Sequence, residues 1–219
     1  MNINKTLLCG AAVMAAASLG STAAIAAVIV NGSFETGVPI PAGGFVSLAA
    51  LDSTSISGWT VGGGGVDYVG TYWEAADGER SVDLSMLSEG SVAQTITTVA
   101  GVTYKVSFAL AGNPDGPDEG KIAVTSISGS LPQIDIFTVT PAHTRASMGW
   151  TYYDYTFTAF DTSSTLVFAS ATDSPYGPAL DNISISVVPE PATWAMMILG
   201  FGGIGLVVRD ARRRRLVPA

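Results

Sequence analysis

Four carboxylates crowd the stretch YWEAADGERSVD: Glu74, Asp77, Glu79 and Asp83. Two carboxylates a few ångströms apart are the working groups of most glycoside hydrolases, one as acid and the other as base or nucleophile. The same stretch carries Tyr72 and Trp73 at its start, and a third ring, Tyr176, sits in DSPYGP. Aromatic rings in loops suit the apolar faces of sugars, while polar neighbours read the hydroxyls. These residue types therefore point to carbohydrate, bound or cut. Acidic loop residues are common and mostly solvated, which weights the reading toward binding, with Tyr72, Trp73 and Tyr176 as the ligand-binding candidates. A loop folded over a sheet edge would use the same Tyr72 and Trp73 without any ligand.

Other catalytic chemistries lack their residues. His143 is the only histidine and lies in the loop-like TPAHTRAS, with no nucleophile elbow and no second histidine for a metal pair. Cys9 is the only cysteine and precedes the mature chain. Cysteine nucleophiles, cysteine–zinc sites, iron–sulfur sites and disulfides are therefore excluded from the mature protein. No catalytic residue is assigned, and a non-enzyme is expected.

The two ends read as addresses rather than fold. Lys5, the apolar run from Leu7 to Gly20 and the small residues from Ala23 to Val28 have the layout of a secretory signal peptide. Cleavage is expected after Ala26 or Ala27, so residues 1–27 are a signal segment with its helix. Near the other end, Thr193 to Val208 is an uncharged run of 16 residues. As a helix it is ~24 Å long against a hydrocarbon core of ~30 Å, a marginal span. Trp194 can sit at one interface, and Arg209 with Arg212, Arg213, Arg214 and Arg215 at the cytoplasmic one. A single transmembrane helix over 193–208 is expected. Pro189 and Pro191 hold the chain extended just before it.

Between the ends lies one domain's worth of chain, 28–187. It holds sixteen acidic and four basic residues, a formal charge of −12 that the chain-wide −8 hides. So acidic a surface argues against nucleic acid and anionic lipid as partners. The pattern is strand after strand. VTYKVSFAL places Val102, Tyr104, Val106, Phe108 and Leu110 on one face, and YYDYTFTA does the same for Tyr153, Tyr155 and Phe157. STLVFAS aligns Leu166 with Phe168, and NISISVV aligns Ile183, Ile185 and Val187. SVAQTITTV and KIAVTSIS read as two more strands. This period-two alternation, punctuated by VAGV, GNPDGPDEG, GSLP and DSPYGP, predicts an all-β, antiparallel two-sheet jelly-roll sandwich of ten or so strands. Trp59 in SGWTV is expected in its core.

The tail, Pro189-Glu190-Pro191, then Trp194, MMILGFGGIGLVVR and the arginines, resembles the PEP-CTERM sorting domain over residues 188–215. That resemblance implies an exported protein of a Gram-negative bacterium, held first in the inner membrane. It implies processing near Pro189-Glu190-Pro191 by exosortase, a membrane-embedded protease–transpeptidase, as a transient partner. The expected destination is the cell surface or an exopolysaccharide biofilm matrix. Asp210 and the extension LVPA depart from the pattern without removing its core.

The domain resembles galactose-binding-like jelly rolls, through VNGSFETG, ISGWTV, GERSVDLS, VAQTI, GVTYKVSFALAGN, YDYTFTA and ALDNISI in order. The NGSFE-type, choice-of-anchor C extracellular domains and the carbohydrate-binding modules are the relatives this suggests. It implies extracellular polysaccharide as ligand. It also implies one structural Ca²⁺ joining first and last strands, with Glu35 and Asp181 as ligands and Asp83 or Asp77 as a third. Glu35 and Asp181 could instead cap turns by accepting backbone N–H groups. Three functions stay open: a carbohydrate-binding or adhesive matrix module, a purely structural surface protein, and a glycoside-active enzyme.

Overall fold

The structure, a computed structural model, describes residues 27–189, 197–204 and 209. Eleven strands follow in order: β1 (Phe45–Leu48), β2 (Thr60–Gly63), β3 (Val66–Val69), β4 (Ser81–Asp83), β5 (Gly90–Thr97), β6 (Thr103–Gly112), β7 (Gly120–Ile127), β8 (Gln133–Thr138), β9 (Thr151–Thr158), β10 (Ser163–Ser170) and β11 (Pro178–Val187). One sheet has six strands in the order β1-β3-β4-β11-β6-β9, and the other has five in the order β2-β5-β10-β7-β8. All pairings are antiparallel. From β4 to β11 the chain crosses between the sheets almost strand by strand, so neither sheet forms without the other.

The alternating side chains meet between the sheets. Tyr104, Val106, Phe108 and Leu110 from β6 are fully buried, as are Leu166 and Phe168 from β10. Phe108 and Phe168 touch edge to face across the gap, with ring centroids 5.0 Å apart. Trp59 and Phe34 extend this aromatic chain toward the N-terminus, and Trp59 Nε1–H donates to the Asn31 carbonyl at 3.0 Å. Among the described residues the hydrophobic core lies within 27–187, as in a folding unit in its own right.

One register shift in β11 lies between Asp181 and Ser184, with Asn182 at φ 47°. The bulge moves the alternation by one residue. Leu180 and, beyond the bulge, Ile183 therefore both face the core, while Asp181 turns to the outer face. Asn tolerates this left-handed conformation better than most residues.

β8 runs against the pattern. It buries Asp135 and Phe137 and leaves Ile134 and Ile136 exposed. The open side between the two edge strands is closed by tyrosines of β9. Tyr153 Oη–H donates to the Ile136 carbonyl at 3.2 Å, and Tyr155 Oη–H to the Leu131 carbonyl at 2.5 Å. Those carbonyls are thereby withdrawn from pairing with another chain.

Residues 197–204 are helical. No helix among the described residues is long and apolar enough to cross a membrane. The rest of the expected 193–208 span, Glu190, Pro191, Arg212, Arg213, Arg214 and Arg215 lie outside the described residues, as does the signal segment through Ala26.

Lys121 on β7 points inward and is fully buried, its Nζ reaching Glu119 at 2.8 Å. Its stem fills space beside Phe137 and Val139 where Gly112 leaves no room for a side chain. It also ties down the loop after β6. If packing of the stem matters more than the charge, Lys121→Met keeps the melting temperature near wild type, because an apolar isostere replaces a costly buried ion. Lys121→Ala should instead lose about 2–4 kcal/mol in urea denaturation. Equal losses in both variants would put the stabilisation in the ion pair.

Candidate functional site

The outer face of the six-stranded sheet is partly roofed by loops, and a cavity of about 470 Å³ opens there. Its floor is made by strands. Ser47 on β1, Asp67 and Val69 on β3 and Asp83 on β4 share this face. Asp67 and Asp83 are direct cross-strand partners, which sets their side chains next to each other. Tyr72, Trp73 and Phe45 form one wall, Met86 and Leu87 another. Asn113, Asp115, Pro175 and Tyr176 close the end.

The loop 113–119 is locked to this floor and wall. Asn113 Nδ2–H donates to Asp83 Oδ2 at 2.8 Å, and Asn113 Oδ1 accepts the Asp115 amide at 3.0 Å. Arg145 holds Asp115 with two hydrogen bonds of 2.8 Å each, from Nε and Nη2. The same guanidinium lies 3.9 Å over the Tyr72 ring, and Tyr72 Oη–H donates to Asp115 at 2.7 Å. Bidentate and stacked contacts of this kind fix geometry as well as energy. Phe45 and Trp73 flank Tyr72 at 5.5 and 5.8 Å between centroids.

The floor is electrostatically unusual. Burial pushes Asp83 up to about 8, against the hydrogen bonds from Asn113 and the Ser85 amide. Burial also raises Asp67, against the hydroxyl of Ser47 at 2.6 Å. Two neighbouring carboxylates away from water disfavour double ionisation. For Asp115 burial works against charge, but Arg145 and Tyr72 outweigh it and hold the group below its ordinary value. The Asp115 hydrogen bond in turn raises Tyr72.

The structure brings Tyr72, Trp73 and Tyr176 into one cavity from two separate loops. Tyr176 is 38% exposed, whereas Trp73 is 5% exposed and its Nε1–H donates to Ser81 Oγ at 2.8 Å. Trp73 thus lines the cavity as a mostly buried wall, with its indole N–H held by the sheet, while Tyr176 is the more open ring. Further cavity residues, Asp67, Asn113, Asp115 and Met86 among them, had no separate signal in the sequence. Among Glu74, Asp77, Glu79 and Asp83, only Asp83 faces this cavity. Glu74 accepts the Met148 amide, and its own carbonyl accepts Trp150 Nε1–H. His143 takes the Thr140 amide on Nδ1 and packs on Phe137.

Glu35 and Asp181 serve a different element. Asp181 Oδ2 accepts the amides of Ala76 and Asp77 at 2.7 and 2.9 Å, and Oδ1 that of Asn182. Glu35 Oε1 accepts the amides of Glu79 and Arg80 at 2.9 and 2.8 Å. Asp77 takes the Ser33 hydroxyl at 2.6 Å. The loop 76–80 is therefore pinned by carboxylates from both ends of the domain. Their oxygen chemistry suits a hard cation, but Asp83 stands apart in the cavity. Among the described residues no three His, Cys, Asp or Glu side chains form a metal-holding group. Burial raises Asp181 to about 7, against its three amide donors.

Residues 27–186 match the family model described as protein of unknown function (DUF642), and residues 187–214 match the PEP-CTERM protein-sorting motif. Halomucin of Haloquadratum walsbyi is 35% identical over 166 residues, which is 74% of this chain and 2% of halomucin. The Arabidopsis thaliana protein DUF642 L-GALACTONO-1,4-LACTONE-RESPONSIVE GENE 2 is 26% identical over 179 residues, 75% of this chain and 47% of that protein. The chain thus spans about half, or far less, of the curated relatives it matches. Among solved structures, TmCBM61 in complex with beta-1,4-galactotriose superposes with a TM-score of 0.50 at 20% identity, covering 73% of this chain and 97% of that one. The fold is that of carbohydrate-binding modules.

The buried carboxylates imply a definite pH dependence. Asp83 and Asp181 sit at about 8 and about 7 in the folded state, above the 3.8 of a free aspartate. The folded state keeps protons the unfolded chain has released, so their contribution is complete below 3.8 and lost as pH rises toward about 8. Asp52, drawn down to about 2 by Ser55 and Thr54, acts in the opposite sense below 3.8. Calorimetry should show a melting temperature highest at about pH 4 and declining through about pH 8. Asp83→Asn, which cannot ionise, should flatten that decline. A wild-type melt level across this range contradicts the account.

Proposed function

We propose that this chain, which belongs to the DUF642 family and carries a PEP-CTERM sorting motif, is an exported, non-catalytic carbohydrate-binding module of the cell surface or extracellular matrix. One observation carries the reading: the outer-face cavity sets aromatic rings beside a hydrogen-bonding floor in a rigid frame. Its volume of about 470 Å³ lies in the range of small-ligand sites. Tyr72 and Tyr176 offer ring surface for the apolar face of a sugar. Ser47, Asp67 and Asn113 offer donors and acceptors for its hydroxyls. Loops fastened by Arg145, Asp115 and Asn113 need little ordering when a ligand enters, which favours affinity. The sorting half of the reading rests on the motif at 187–214. In it exosortase cuts near Pro189-Glu190-Pro191, a span at 193–208 holds the precursor in the inner membrane, and an exopolysaccharide matrix receives the product.

Binding is tested on the purified mature domain with a glycan array and with calorimetry against galactan and the producing cell's exopolysaccharide. Tyr176→Ala, exposed and outside the core, should weaken binding about five- to thirtyfold while leaving the melt unchanged, since stacking on one ring contributes about 1–2 kcal/mol. A wild-type domain that binds no glycan returns the protein to a purely structural role.

Calcium at the loop 76–80 is a separate proposal, supported by the carboxylate oxygens of Glu35 and Asp181, which accept amides of this loop, and by Asp77 within it. It requires EDTA to lower the melting temperature and Ca²⁺ to restore it. A melt indifferent to EDTA removes the ion from the account.

A further inference from the structure

The two ends of the sandwich differ in chemistry, and the chain leaves from one of them. β11 ends at Val187, beside Tyr104 near the start of β6. The Val188 amide still donates to the Thr103 carbonyl at 2.8 Å, and Pro189 follows at once. At this end lie the loops 98–102, 128–132 and 159–162, since Thr103 pairs with Thr158, and Ser163 with Thr97. They carry one charged residue, Asp161, whose carboxylate is turned onto the Thr162 amide. They also carry two of the three most exposed large apolar side chains of the sandwich, Leu131 at 87% and Phe160 at 86%; the third, Leu51 at 86%, lies outside these loops, after β1. Leu131 and Phe160 belong to adjoining loops, because Gly129 abuts the Phe160 Cβ. The opposite end holds the cavity and the acidic loop with Asp115, Asp118 and Glu119.

Chain length ties the apolar end to a membrane. Five residue steps separate Val188 from Thr193, where the uncharged run begins. Fully extended they reach at most about 18 Å. The headgroup layer takes about 5–8 Å of that. The end of β11 therefore cannot stand more than about 13 Å above the lipid surface once the tail is inserted. Within that reach, exposed Phe and Leu gain by entering the interface, and a loop set with a single carboxylate, though the domain as a whole is acidic, is repelled only weakly by anionic headgroups across the screening salt.

We infer that, in the anchored precursor, this end of the sandwich rests on the lipid surface with Phe160 and Leu131 in the interface, leaving the cavity facing away from the membrane. The inference rests on the proposed insertion of the tail, not on the identity of any glycan. Anchoring supplies the high local concentration that two side chains alone would lack.

The test uses the full chain reconstituted in vesicles of phosphatidylethanolamine and phosphatidylglycerol, in a Cys9→Ser background. An environment-sensitive fluorophore is placed at Ser163→Cys, beside the apolar loops, or at Asp173→Cys, near the cavity; both positions are exposed. The label at 163 should be blue-shifted and quenched by shallow spin-labelled lipid, and the label at 173 should not. The double variant Phe160→Ser, Leu131→Ser should abolish the effect at 163, with the melt unchanged, since both side chains are already in solvent. Equal quenching at the two positions, with the chain firmly in the vesicles, overturns this orientation alone. A chain that fails to enter the vesicles overturns the tail insertion and the orientation with it. If the double variant alters sedimentation but not quenching, the patch joins copies of the protein and the lipid contact is refuted.

Discussion

The last strand of the domain, β11, sits in the middle of its sheet, hydrogen-bonded to β4 on one side and to β6 on the other. Both partners precede it by far in sequence, so the sheet cannot close until residues 178–187 return between them. Such non-local pairing is slow to form and leaves strand edges open meanwhile. Much else depends on its arrival. Gly177 accepts the Asn113 amide through its carbonyl, and Ala179 pairs with Asp83, so the cavity floor is completed by the start of this strand. Asp181, turned outward by the bulge, then fastens the loop 76–80. The sorting motif follows directly behind this strand. An insertion between Val188 and Pro189 would lengthen the tether without touching the sheet, whereas any cut before Ile183 would unmake it.

Carboxylates hold the irregular parts of this molecule together. In a domain with sixteen acidic and four basic residues, few can be neutralised by ion pairs. Glu35 and Asp181 instead accept backbone amides of a long loop that has no strand to bond to, and Asp52 does the same for its own turn. A buried carboxylate with amide donors satisfies the loop's backbone at the expense of its own solvation. Where donors are plentiful and water is near, as at Asp52, the acid stays strong; where burial dominates, as at Asp83, it weakens. The same device thus yields a rigid framework and a cavity floor of low charge. Arg145 is the exception that proves useful. Spent on Asp115 and Tyr72, it fixes an aromatic wall that neither loop could hold alone.

The long strands were legible in the sequence because one face of each is buried and the other is not. The alternation in β6, β9 and β10 follows directly from that. β8 was not, because its isoleucines face outward and Asp135 inward, so its pattern is set by position at the sheet edge rather than by burial. The short strands β1 to β4 offer too few residues for a period to register. In β11 the pattern begins only after the bulge, which is why Leu180 stood outside it. The aromatic members of the cavity were legible as types, rings in polar loops. Their gathering was not, since Tyr72 and Tyr176 meet only through strand order. Asp67 carried no signal at all: a carboxylate in a four-residue strand matters only because register sets it opposite Asp83. The family matched, DUF642, likewise goes with the sandwich, while the PEP-CTERM motif was readable residue by residue because it works as a linear signal.

The bulged strand also fixes how far apart the proposed glycan cavity and the proposed processing point lie. Ala179, beside the cavity floor, and Val187, at the exit, are eight residues apart on one strand. At ~3.3 Å per residue this is roughly 26 Å. A sugar chain entering over Tyr176 and a protease working on Pro189 would therefore meet opposite ends of a rigid body. Neither has to displace the other, and no domain motion is needed to expose one after the other. Only shortening or melting β11 would bring the two into conflict, and its central place in the sheet makes it the strand least able to fray.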